Sequence, residues 1–324
     1  MPDANVGEQV ASVFERKIGK KPTDQILTSR NLFYALGKDG FKESADGGRL
    51  VEYTLMYAEN TTFRSYGEWD ELDTTRIQVF DAARFDWKIA AGTVSYSNLE
   101  KLRAQAGSAK FDLIAERLEN GKQSHISDLN RQFWSDGTGS PTDIQGLQFL
   151  IDATPTTGTI GGINSATFTW WRNRQASGAQ TASAFDNLRA SWTSVYNQCG
   201  LGGDQELPTD IATTRTVFEG YEQILVAIEQ IQVDQKRKNA DIGFPNEFLK
   251  FKGARCWYDE DAPSGEARMF SSKHIKVTYL KGGWMHMDPA VDPYNQLANV
   301  HKLSTYCVMG VNARRHTGVV TAIT

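Results

Sequence analysis

Two alternating runs flank a polar segment in the first third of the chain. Val51, Tyr53, Leu55 and Tyr57 alternate with Glu52, Thr54 and Met56, and Phe85, Trp87 and Ile89 alternate with Arg84, Asp86 and Lys88. A period of two predicts a strand on each side. Between them lie Glu59, Glu68, Asp70, Glu71 and Asp73, and such a segment cannot build a core. Arms extending ~3.3 Å per residue make a hairpin several tens of ångströms long, and a lone two-stranded hairpin is marginal in water. It needs a partner surface, and no neighbouring sequence obviously supplies one.

The flanking segments sharpen that expectation. Residues 1–48 hold two short amphipathic pieces, one with Val10, Val13, Phe14 and Ile18 and one with Leu32, Phe33 and Leu36, separated by Pro22 and closed by glycines. Neither is long enough to fold alone, so this segment reads as an arm lying on something else. From Ser97 the period changes: Leu99, Leu102, Ala106, Leu113, Leu118, Ile126, Leu129 and Phe133 recur at helical spacing, and Ser97 with Glu100 forms a capping box. One helix of ~35 residues, or ~50 Å, is expected, with a bend or break possible at Gly107 or Gly121. "SDGTGSPTD" stops it.

Residues 145–262 alternate short apolar runs with helices, one marked by Phe185, Leu188, Trp192 and Val195 and one by Val217, Phe218, Tyr221, Leu225 and Ile228, with "ELPTDIATT" between them as a strand. This reads as a compact α/β unit. After Pro263 the strands "HIKVTYL", "GWMHMDP" and "STYCVMGVNARRHTGVVTAI" follow.

No chemistry-bearing motif survives inspection. Gly158, Gly161 and Gly162 lack the Lys and Ser or Thr of a phosphate loop and miss the dinucleotide spacing. Trp170 and Trp171, if extended, point to opposite sides, which favours packing over base stacking. "SDGTG" at Asp136 occurs once and is not Asp-Thr-Gly, so it reads as a turn. The five histidines show no H-x-x-x-H pair; His286 and Asp288 share a strand face without a third ligand. "DQKRKN", with Lys236, Arg237 and Lys238, suits a helix C-terminus, and "YDEDAPSGEA" reads as a solvated acidic loop. Cys199, Cys256 and Cys307 have no CxxC spacing and read as buried thiols in a reducing cell. No catalytic residue, cofactor or metal is expected.

Charge and hydropathy then limit the partners. A net charge of −4 gives no overall positive field for nucleic acid or an anionic membrane. No secretory pattern opens the chain and no 18-residue apolar run occurs, so synthesis in the cytosol without membrane insertion is expected.

An arm, an unsupported hairpin, a long helix and a two-part layout in this order resemble the major capsid protein of tailed bacteriophages, the Hong Kong 97 type. The resemblance covers nearly the whole chain. It is strongest in "GGRLVEYTLMYAENTTFRSYGEWDELDT", "FDWKIAAGTVSYSNLE", "WSDGTG", "TTGTIGGINSATFTWWRN", "GARCWYDEDAP" and "VNARRHTGVV". It implies an α+β fold with an N-terminal arm at 1–48, an extended loop at 49–91, a peripheral domain with spine helix at 92–144, an α/β axial domain at 145–262, and return strands at 263–324 belonging mainly to the peripheral domain.

By that resemblance the chain is a structural subunit that self-assembles through pentamers and hexamers into an icosahedral shell around double-stranded DNA, held by weak non-specific contact. A scaffolding protein, a portal and a cement or decoration protein are the implied partners. The place of action would be the virion capsid, with assembly in the host cytoplasm. Interface side chains are expected to include Tyr57, Phe63, Tyr66, Trp69, Arg76, Phe14 and Phe33. Some members of the family weld their shells by an isopeptide bond from a loop lysine; here no lysine lies between Leu50 and Trp87, and Lys88 sits at the hairpin base, so a non-covalent shell is expected. An encapsulin-like nanocompartment shell is the alternative, and an enzyme of unknown type a more distant one.

Overall fold

The structure, a computed structural model, describes residues 31–38, 40–104, 113–177, 185–200, 206–229 and 249–324. The segment with Phe14, the junction with Ala106 and Gly107, and the basic run at Lys236, Arg237 and Lys238 lie outside the described residues.

In chain order come α1 (Asn31–Lys38), β1 (Lys42–Ala45), β2 (Leu50–Met56), β3 (Phe80–Asp86), β4 (Lys88–Ser97), α2 (Asn98–Ala104) and α3 (Leu113–Trp134). A single turn α4 (Leu147–Leu150), the small hairpin β5 (Thr159–Ile160) and β6 (Ile163–Asn164), and β7 (Arg174–Ala176) lead to α5 (Phe185–Cys199), β8 (Asp210–Thr213) and α6 (Arg215–Glu229). Strands β9 (Leu249–Phe251), β10 (Ala254–Tyr258), β11 (Ala267–Phe270), β12 (Ile275–Leu280), β13 (His286–Met287), β14 (Ala298–Val311) and β15 (Gly318–Val320) complete the chain.

Two sheets organise these elements. In the five-stranded sheet β14 is the central member, antiparallel to β4 along one edge and to β12 and then β13 along the other, with β1 added parallel to β12. The six-stranded sheet runs β7-β15-β11-β8-β10-β9. Both β11 and β15 therefore belong to the α/β unit. That corrects the expectation for "VNARRHTGVV", whose closing valines lie between β7 and β11 and not in the β14 sheet. The cause is non-local pairing, which no local pattern encodes.

Helix positions follow from local chemistry. Ser97 Oγ accepts from Glu100 N at 3.1 Å, and the Ser97 N–H donates to Glu100 Oε2 at 3.0 Å, the reciprocal capping box read from the sequence. Arg117 then donates two bonds to the Glu100 carboxylate, at 2.8 and 3.0 Å, tying α2 to α3. These bonds hold the Glu100 carboxyl below its usual range. Gly121 lets α3 press on β4: a Cβ there would lie 2.3 Å from Val94 Cγ2.

Gly146 is the tighter case, because its neighbours are backbone. A Cβ would lie 2.5 Å from the Phe133 carbonyl oxygen and 2.6 Å from that of Gln132, neither free to rotate away. Gly146→Ala should therefore cost about 2–3 kcal/mol, read as a lowered melting temperature of the protein. An unchanged melting curve would refute this account of the α3–α4 turn.

The supposed arm is only partly an arm. Leu32, Leu36 and Phe41 are buried in this subunit's own core. The α1 N–H groups are capped from far away: Leu32 N donates to Asp259 Oδ2 at 2.9 Å and Phe33 N to Asn130 Oδ1 at 3.0 Å. Asp259 also accepts from Asn130 Nδ2 and from Asp261 N. This corrects the reading of "YDEDAPSGEA" as a solvated loop, since Asp259 is fully buried and burial pushes its carboxyl pKa up. Phe33, half-buried, is engaged within the chain as well. Its ring stacks on Phe133 and Trp284, with centroids 6.4 and 5.9 Å away, so it anchors α1 within the subunit.

Other expectations are met. Cys199, Cys256 and Cys307 are free and buried, and burial pushes each thiol up to about 12. Asp136 makes a turn, accepting from Thr138 N at 3.1 Å. Gly161 and Gly162, at φ +62° and +81°, form the two-residue β5–β6 turn that needs left-handed backbone twice. Trp171 is buried and donates to the Ile160 carbonyl at 2.9 Å. This glycine cluster is thus a hairpin turn with a core tryptophan behind it. No described helix is long and apolar enough to cross a membrane.

Candidate assembly surface

The hairpin of β2 and β3 divides into an anchored base and an unsupported tip. At the base Leu55, Ala83 and Phe85 are buried, Tyr53 Oη lies 3.1 Å from Thr278 Oγ1, and Arg84 N donates to the Gly161 carbonyl at 2.9 Å. So the body of the chain does supply a partner surface for the base, from β12, β14 and the β5–β6 turn. The second strand is also shorter than the alternation suggested: pairing in the hairpin ends at Asp86, Trp87 Nε1 bonds the Gly48 carbonyl at 2.9 Å, and Ile89 belongs to β4.

Residues 57–79 form no strand, yet their own turns order them. Tyr57 N donates to the Val79 carbonyl at 3.0 Å. Tyr66 Oη donates to the Thr62 carbonyl at 2.8 Å and accepts from Asp73 N at 3.1 Å. Asn60 and Asp70 cap small turns by accepting from Thr62 N and Gly67 N. This scaffold holds the large apolar groups outward: Phe63 is 85% exposed, Trp69 92% and Leu72 70%. Groups of this size are rarely displayed together on a soluble monomer.

The predicted interface residues thus separate by environment. Phe63, Trp69 and Arg76 are exposed on the tip; Tyr66 is half-buried as its organiser; Tyr57 stacks on Trp170 at 5.0 Å. A second apolar surface escaped the sequence reading. Tyr294 and Leu297 are fully or largely exposed, Val291 is exposed, and the Asn98 N–H donates to the Leu297 carbonyl at 3.0 Å, beside exposed Leu99 and Leu102. Leu99 and Leu102 keep helical spacing, which normally signals a core, so only the packing shows that their face is open.

His286 Nε2 and Asp288 Oδ1 pair at 3.1 Å on an exposed face, as their spacing predicted. His274, His316 and Glu206 were not grouped by any sequence spacing but meet in space.

No family model matches the sequence, and no curated protein does. Solved structures do match in fold. The capsid asymmetric unit of cyanophage A-1(L) is similar with a TM-score of 0.76 at 15% identity, over 97% of this chain and 98% of that one. The capsid of Myoviridae phage XM1 follows at 0.62 and 11% identity, over 95% and 97%. The SrpI encapsulin of Synechococcus elongatus is similar at 0.56 and 10% identity, over 94% and 92%. The chain therefore has the α+β fold of shell-forming subunits. Within that class it is the Hong Kong 97-type capsid fold, along its full length.

Proposed function

We propose that this chain is the major capsid subunit of a tailed bacteriophage, a structural protein whose mechanism is self-assembly. The observation that carries the reading is the tip at 57–79, ordered by its own hydrogen bonds while Phe63, Trp69 and Leu72 face outward. Apolar groups presented on a rigid frame favour burial against another copy, since little ordering entropy remains to be lost on docking. Pentamers and hexamers, a scaffolding protein, a portal, a cement protein and packaged double-stranded DNA complete the proposal. The acidic balance of the chain suits a lining that must not grip DNA.

The structural match to the cyanophage capsid, at 0.76, is better than that to the encapsulin, at 0.56, and favours the capsid over a nanocompartment. Electron microscopy of the purified protein tests the reading: closed shells or rings of five and six subunits are expected. A monomer near 36 kDa at every concentration would overturn it.

The shell should also be free of covalent links. The tip carries no lysine, and Lys88 at the base donates to the Pro141 carbonyl of its own chain. A guanidinium such as Arg64 stays protonated and is no nucleophile. Particles boiled in reducing detergent should give one band near 36 kDa, and a ladder of multimers would contradict this.

A further inference from the structure

The chain passes between its two sheets at two neighbouring crossovers: residues 271–274 lead from β11 to β12, and residues 312–317 lead from β14 to β15. His274 and His316 meet there, rings stacked with centroids 4.7 Å apart and planes 17° apart. His274 Nδ1 lies 2.9 Å from Asn312 Oδ1, and His316 Nδ1 lies 2.7 Å from the Cys199 carbonyl. Oxygens of this kind only accept, so each Nδ1 carries a proton, which in the neutral imidazole leaves the lone pair on Nε2.

Glu206 completes the group. Its Oε2 is 2.7 Å from His274 Nε2, yet that nitrogen makes no aligned hydrogen bond although the imidazole is buried. Two lone pairs so close need a positive species between them. Ligand atoms of Glu206, His274 and His316 all lie within 4.8 Å of one another. Imidazole nitrogens backed at Nδ1 by oxygen acceptors, together with one carboxylate, are a donor set for zinc and related first-row ions.

We propose that Glu206, His274 and His316 form a binding site for a divalent transition-metal ion of the zinc class, clasping the two crossovers that join the sheets. Ligand bonds of ~2.0–2.1 Å require the side chains, whose ligand atoms already lie within 4.8 Å of one another, to reorient around the ion. Water supplies the fourth position from the adjoining cavity of about 310 Å³, which Glu206, Lys273 and His274 help line. Lys273 Nζ, 3.5 Å from Glu206 Oε1 and largely exposed, competes with the metal for the carboxylate and is free to swing away.

The test uses full-length protein stripped with EDTA and titrated with Co²⁺, Zn²⁺ and Mg²⁺. Expected are one Co²⁺ per subunit with the visible absorption of tetrahedral cobalt, its displacement by Zn²⁺, and no saturable Mg²⁺ uptake. His316→Ala and Glu206→Gln, checked for native circular dichroism, should each weaken Co²⁺ binding at least ~10–100-fold, the loss known even for outer-shell partners. Lys273→Ala should bind Co²⁺ as tightly or more tightly. No saturable cobalt uptake by the unsubstituted protein would show that a proton alone bridges the pair and would overturn the proposal. So would uptake unchanged in both ligand variants, or binding weakened by Lys273→Ala.

Discussion

Replacing Phe63, Trp69 and Leu72 together by serine is expected to leave a folded subunit that no longer assembles. The three side chains are 70–92% exposed, so their removal takes little from the subunit's own core. The base is held independently, by Tyr53 on Thr278, buried Leu55 and Phe85, and the Arg84 bond to Gly161. Burying a large apolar side chain is worth ~1.5–3 kcal/mol. Three of them lost from each contact weaken it by roughly 5–8 kcal/mol, or a factor of about 10⁴–10⁶ in association. Deletion of residues 59–73 across a glycine linker should have the same outcome. Sedimentation shows the result directly: soluble protein near 36 kDa with native circular dichroism is expected, and normal particles from either variant would remove the tip from the assembly mechanism.

Arg314→Met is expected to be the most damaging single substitution inside the subunit. Arg314 is fully buried and donates to four groups: the Leu150 carbonyl at 2.9 Å, Ser165 Oγ at 2.8 Å, the Trp171 carbonyl at 3.0 Å and Asn173 Oδ1 at 2.7 Å. No carboxylate contacts it directly among these bonds, so the cation is held by dipoles, and burial lowers its pKa to about 10. The guanidinium remains charged at neutral pH. Methionine fills similar volume but leaves those acceptors orphaned, each at ~1–3 kcal/mol, for a total of about 4 kcal/mol or more. A single ammonium cannot span all four positions, so Arg314→Lys should recover only part of the loss. Denaturant titration of the unassembled protein measures this, and a midpoint within error of the unsubstituted protein would refute it.

Local features were legible in the sequence, because they depend on residues within a turn or two. The Ser97–Glu100 box, the alternation in the hairpin, the stop at Asp136 and the helices around Trp192 and Val217 are of this kind. What escaped depends on partners far away in the chain. Asp259 and Arg314 look like solvent charges until Leu32 N and the Leu150 carbonyl meet them. Phe33 looks like part of a free arm until Phe133 and Trp284 flank it. Likewise Glu206 and His274 are brought together by the fold and by no spacing in the chain, and the open face at Tyr294 and Leu297 is visible only once everything else has packed.

The position of β15 also governs when the protein can fold. Residues 318–320 sit between β7 and β11 inside the six-stranded sheet, and they are synthesised long after β7. At ~5–20 residues per second, the ribosome adds most of the chain before the strand that joins β7 to the rest of the sheet exists. That sheet therefore cannot close until β15 has been made, and a product truncated before it leaves its α/β unit unfinished.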